Sequence, residues 1–239
     1  VTQRNPSASQ IDPPRTDPAV AADSGLFRCD DDGRIVAAYP GGPDEPGPAL
    51  AAVHAALHAF VEHGSYPCVG AKAAVARHSY VLGIYPALDD AGSAAAAAAD
   101  ARWFAANASD IDDSYATFLA VFRSASIPDD ASFEVALWAY LQAMHRADPD
   151  GWDPSVSSDP SDPGFRFSVG GSAFFVIGMH PNASREARRF PFPTIVFNLH
   201  SQFEALREQG RFEKMRTVIR EREEALAGEP NPLLADFGA

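Results

Sequence analysis

The chain has 239 residues, 19 basic and 32 acidic side chains and a net charge of −13, enough for one globular domain that buries its own core. Two cysteines, Cys29 and Cys68, exclude a disulfide framework and a four-thiolate zinc site. Residues 1–160 hold 9 basic and 22 acidic side chains and 161–239 hold 10 of each, so the basic stripe that displaces counterions from nucleic acid is missing and nucleic acid is not an expected partner.

Residues 1–24 are mostly Pro, Asp, Ser and Ala, too poor in bulky apolar groups to offset their ordering entropy, and read as a disordered tail. Residues 25–239 read as the single folded domain. The stretch Tyr39–Pro48, with four prolines and three glycines, is a second soft segment. Leu50, Val53, Leu57, Phe60 and Val61 then recur at helical spacing and predict a helix buried along that stripe. Pro67 precedes an Ala-rich run that predicts a second helix, with Cys68 at its first turn. SYVLGIYP reads as a strand, the Ala-dense segment from Asp89 as a helix, and ATFLAVFR as a strand.

Asp129 and Asp130 open a further helix that runs to about His145 and buries Phe133, Leu137, Tyr140, Leu141 and Met144. Residues 146–164 carry four prolines and no periodicity, the pattern of a lid or a tether. FRFSVGG, SAFFVIGMH and TIVFNLH follow as short β-branched and aromatic strands, and the end is helical, broken near Gly210. The expected class is α+β, a mainly antiparallel sheet with packed helices. No apolar run approaches the roughly 20 residues of a membrane span, and the N-terminus lacks a signal-peptide pattern. The expectation is a cytoplasmic protein without a membrane partner.

Three groups of residues bear on chemistry. A thiol on a helix's first turn faces free N–H groups and the positive end of the dipole, which favours thiolate, so Cys68 reads either as a nucleophile or ligand or as a small buried hydrophobe. His180 ends a strand, and Arg185, Arg188 and Arg189 follow within nine positions. In so acidic a chain they suit an anion, or else a solvated face. His54 and His58 have the i, i+4 spacing of a helical metal pair but lack an evident third ligand. No G-x-S-x-G, G-x-x-x-x-G-K or G-x-G-x-x-G is present.

The blocks YPCVGAKAAVARHSYVLGIY, FFVIGMHPNASREARRFPFPTIVFNLHSQFEALRE and NPLLADFG, in that order from about residue 50 onward, resemble the signature blocks of the YqcI/YcgG family. The resemblance implies haem chemistry: a haem-dependent N-oxygenase (monooxygenase) that hydroxylates a guanidine or amine, L-arginine or an arginine-derived compound, in natural-product biosynthesis. On that reading Cys68 is the axial ligand of the iron, with His180 as the rival, and a thiolate ligand assists O–O cleavage. Arg185, Arg188 and Arg189 serve the propionates, or one of them a substrate α-carboxylate, and Phe190 and Asn198 complete the cofactor-binding set. Phe174, Phe175, Phe192 and Phe197 extend the aromatic wall. A carboxylate from the acidic N-terminal two-thirds would face the guanidinium. No flavin or nicotinamide motif is visible, so dioxygen is joined by an external electron-donor reductase. The alternatives are a haem-binding sensor or carrier with both Cys68 and His180 on the iron, and a cofactor-free binding protein.

Overall fold

The computed structural model describes residues 25–30, 32–39, 47–124 and 126–228; the expected N-terminal tail, most of the soft segment before Pro48 and the NPLLADFG block lie outside them. The elements are β1 (Gly25–Cys29), β2 (Ile35–Ala37), α1 (Pro48–Glu62), α2 (Val69–Ala76), β3 (Tyr80–Ala87), α3 (Ala91–Ile111), β4 (Thr117–Ser124), α4 (Asp130–Ala147), β5 (Phe167–Val169), β6 (Ser172–Met179), a 3-10 turn (Glu186–Arg188), β7 (Thr194–Leu199), α5 (His200–Glu208) and α6 (Phe212–Ala227). The seven strands form one sheet in the order β2-β1-β3-β4-β7-β6-β5. Among the described strands only β3 and β4 pair in parallel, joined by the α3 crossover; the other strand pairings are antiparallel. The class is α+β, as the sequence implies.

Strand alternation gives each face of the sheet its own core. On one face Val81, Tyr85, Phe118, Phe122, Phe174, Ile195 and Phe197 pack against α3 and α4. The small face of α3, Ala94, Ala97, Ala98, Ala101 and Ala108, lets that helix lie close, with Phe104 filling the remaining space. On the other face Phe27, Leu82, Ile84, Leu119, Val121 and Met179 pack against the α1 stripe Leu50, Val53, Leu57 and Val61, with Phe190 at its far end. Strands β3 and β4 are apolar nearly throughout because both of their faces are covered.

Local chemistry sets the boundaries. Pro48 starts α1, Asp90 and Asp129 cap α3 and α4 by accepting from the Ser93 and Ser132 amides, and Gly228 closes α6 in a left-handed conformation. The predicted terminal helix divides at Gly210 (φ 64°) into α5 and α6. Gly170 and Gly171, both at positive φ, form the two-residue turn that joins β5 to β6. One hairpin was not anticipated: β1 and β2 pair around Asp30, whose Oδ1 accepts from the amides of Asp32 and Arg34.

The loop before β5 differs from the expected lid or tether. Asp148 Oδ2 accepts from the Gly170 amide at 2.7 Å, and Arg102 pairs with Asp150 at 2.8 Å. Asp153 Oδ2 accepts from the Ala173 amide, and Ser168 Oγ accepts from the Asp153 amide. Trp152 packs among His145, Phe165 and Phe167. These contacts fasten the loop along the β5–β6 edge. No helix among the described residues is long and apolar enough to cross a membrane.

Candidate functional site

Two blocks far apart in sequence meet on the α1 side of the sheet. Cys68 is the N-cap of α2, in extended conformation (φ −73°, ψ 109°), and its Sγ accepts from the Ala71 amide at 3.4 Å. Burial pushes the thiol's pKa up; the Ala71 and Gly70 amides and the Arg188 guanidinium oppose that rise, and the Glu223 carboxylate adds to it. Tyr66 is held protonated by burial and feels the same Cys68, Arg188 and Glu223. Glu223 on α6 is 5% exposed, and its Oε2 lies 3.5 Å from Arg185 Nη1. A thiol, a phenol, a carboxylate and two guanidinium groups therefore converge at the junction of α2, the 3-10 turn and α6.

The expected arginine trio divides its work. Arg188 donates to the Gly178 carbonyl at 3.3 Å and faces Cys68. Arg185 holds Glu223. Arg189 turns away, with Nε on the Ala183 carbonyl and Nη2 on the Ser184 carbonyl, both at 2.7 Å, so it braces the chain rather than an anion. The aromatic wall is divided by the sheet as well. Phe190, fully buried, packs on Phe60 at 5.4 Å and Phe192 at 6.0 Å on the Cys68 side. Phe174 and Phe197 face the opposite core, and Phe175 packs on Phe203 of α5. Asn198 accepts from Thr117 Oγ1 at 3.0 Å, at the end of β7 remote from the 3-10 turn, about 13 Å along the strand from Thr194 at ~3.3 Å per residue. It does not join the site.

His180, 2% exposed, lies on the other side of the sheet's end. Its ring stacks on Phe133 of α4 at 4.6 Å, and its Nε2 bonds Asp130 Oδ1 at 2.8 Å, while its buried Nδ1 has no hydrogen-bond partner among the described residues. Gly178 makes this docking possible, since a Cβ there would overlap the Phe133 ring.

The sequence reading missed Tyr66 and Glu223. Glu223 had a signal: it stands at i+11 from Phe212, on the stripe Phe212, Met215, Ile219 and Leu226 where an apolar residue is expected. Beside the cluster a cleft of about 180 Å³ opens between Phe60, His63, Tyr66, Ala187 and Leu226, smaller than the ~300–1,000 Å³ usual for small-molecule pockets. No trio of His, Cys, Asp and Glu side chains gathers as a metal-binding group among the described residues. The donor chemistry at Cys68 nevertheless suits a group held by a single axial bond: one sulfur, amide N–H donors to stabilise its anion, and a nearby cation. The model of the YqcI/YcgG family matches residues 57–239, over three quarters of the chain. Neither a curated protein nor a solved structure matches it.

Proposed function

The chain belongs to the YqcI/YcgG family, and from that premise we propose that it is a haem-dependent monooxygenase that N-hydroxylates a guanidine or amine, with L-arginine or an arginine-derived compound as the first substrate to test. Bound haem would supply dioxygen activation: one oxygen atom is inserted at nitrogen and the other leaves as water, with two electrons from a separate reductase and two protons. The observation that carries the reading is the convergence of Cys68, Tyr66, Arg188 and Glu223. The chain's own residues have distinct parts. Cys68 would hold the iron in place of its proton; burial holds the free side chain as a thiol, and the Gly70 and Ala71 amides partly offset that burial. Arg188 offers a positive charge to a propionate or to a substrate carboxylate. Phe60, Phe190 and Phe192 exclude water.

Glu223 is the carboxylate best placed to receive a guanidinium, and it comes from α6 rather than from the acidic N-terminal two-thirds. Arg185 already puts a guanidinium against it, so substrate binding on this reading exchanges one guanidinium for another. The cleft beside the cluster, about 180 Å³, is smaller than a macrocycle, so haem uptake is the part of the proposal that the spectrum tests first.

The test is the ultraviolet–visible spectrum of purified protein after haemin addition, oxidised, reduced, and reduced under carbon monoxide. One equivalent of haem with a thiolate-type carbonyl band, lost in Cys68→Ser, is the expected result, followed by oxygen consumption with arginine. Absence of stoichiometric haem uptake would overturn the proposal. A specific observation favours His180 as the rival ligand: its Nε2–Asp130 pair and unpartnered Nδ1 reproduce the carboxylate–imidazole pairing of metal-bound histidines. A histidine-type band that survives Cys68→Ser and disappears in His180→Ala would move the ligand there.

A further inference from the structure

Tyr80 opens β3 with its hydroxyl held between two imidazoles of α1. His54 Nε2 lies 2.6 Å from Tyr80 Oη and His58 Nε2 lies 2.9 Å from it, and the two rings, one helical turn apart, are separated by 4.6 Å. On the far side of His58, Nδ1 meets Glu62 Oε1 at 2.9 Å. An ionised carboxylate only accepts, so His58 carries its hydrogen on Nδ1, and its Nε2 is left as an acceptor. The Tyr80 hydroxyl, kept protonated by burial, donates to that Nε2, and its oxygen then accepts from Nε2–H of His54. The two histidines therefore hold opposite tautomers. One directed row of hydrogen bonds runs from His54 through Tyr80 and His58 to Glu62.

We infer that this row is an acid-operated latch between α1 and β3, which holds with one added proton and releases with a second. The first proton belongs on His58, where the Glu62 carboxylate balances it. The row then reverses: His58 Nε2–H donates to Tyr80 Oη, the hydroxyl donates to His54 Nε2, and His54 carries its own hydrogen on Nδ1. Every group in the row keeps a partner. A second proton, on His54, aims two Nε2–H donors at one oxygen whose hydrogen has lost its acceptor in the row, and sets two imidazolium cations 4.6 Å apart. The other titratable groups around the row do not absorb that charge. Cys29, next after Arg28 in the register of β1 on β3, is held as a thiol by burial, with Asp30 and Arg28 beside it in opposite sense. His78, which lines a polar cleft with Cys29, is a third imidazole. Burial first, then the charges of His58 and His78, hold His54 below its ordinary 6.5. The released helix therefore takes up the second proton more readily than the docked one, so the latch is fully closed above pH 6.5 and weakens as the pH falls below that value. Because α1 also supplies Ala59 and Phe60 to the cleft beside the Cys68 cluster, its release reaches that cleft whatever the cleft binds.

The experiment is ring-nitrogen NMR of the labelled full chain between pH 7 and pH 5, read beside amide hydrogen exchange of α1 at the same pH values. At pH 7 His58 should show the Nδ1–H tautomer and His54 the Nε2–H tautomer. On acidification the exchange of α1 amides in wild type, corrected for intrinsic rates, should rise at least about 10-fold, the ratio that one unit of pKa difference gives. His54→Gln keeps an N–H donor for Tyr80 and takes up no proton, so its α1 should stay protected at pH 5. Tyr80→Phe removes the shared oxygen and should leave two histidines that titrate independently. Circular dichroism at each pH checks that each variant is folded, and Asp100 is common to all three chains, so its own pH dependence cancels in the comparison. The inference is overturned if both histidines carry the same tautomer at pH 7, or if α1 exchange responds to pH alike in wild type and in His54→Gln. None of these readings involves haem, so this result and that of the haemin titration stand or fall separately.

Discussion

Asp100 shows what one buried carboxylate imposes on the molecule. It accepts from Tyr39 Oη at 2.8 Å and Tyr85 Oη at 2.6 Å, yet pairs with no cation among the described residues, and burial raises its pKa from 3.8 to about 6 despite those two bonds. The folded state therefore holds this proton more tightly than the unfolded state. Below pH 4 both states are protonated and the group costs nothing; as pH rises through 6 the folded state is left with a buried anion. The loss of stability across that window is about 3 kcal/mol. Asp100→Asn, which keeps an acceptor for one tyrosine, should remove it. Denaturant unfolding at pH 4, 5, 6 and 7 should show the variant gaining on wild type by about that amount between pH 4 and 7. A difference constant with pH would show that Asp100 ionises freely.

At the scale of elements, the loop from Asp148 to Gly164 depends on a few side-chain oxygens. Asp153 accepts from the Ser155 amide and hydroxyl and from the Ala173 amide, and Asp153→Ala should cost about 1–3 kcal/mol. It should also open the loop to limited proteolysis that the wild type resists. If both proteins are cut equally fast, the fastening is not what holds the segment. Hydrophobic periodicity could not disclose this, because the loop is held by aspartates bonding to nearby amides. The same blindness hid β1 and β2, two short strands around an Asp-Gly turn with too few residues to alternate. The elements read correctly include α1, α2, β3, α3, β4, α4, β5, β6, β7 and the terminal helix that divides at Gly210 into α5 and α6, and the longer of them are those whose apolar spacing answers to a packed face. At the site, Cys68 and Arg188 were legible as types at positions, while their meeting with Tyr66 and Glu223 depends on how α6 crosses the 3-10 turn, which no local pattern encodes.

For the whole molecule, the sheet runs from deeply covered centre to short rims. Strands β3 and β4 pair over seven registered positions under helices on both faces, whereas β2 and β5 have three residues each. Amide hydrogen exchange should accordingly be slowest in β3 and β4 and fastest in β2 and β5, with a spread of several orders of magnitude; equal protection across the sheet would contradict this layering. The order of strands also has a temporal side. On one flank β4 is completed by β3, but its other partner is β7, which begins at Thr194, 70 residues after β4 ends at Ser124. A ribosome adding ~5–20 residues per second takes about 4–14 s to make that stretch. During that interval a strand buried over its first six residues presents an open edge in the nascent chain, so the yield of folded protein should depend on how fast the second half is made and on what shields β4 meanwhile.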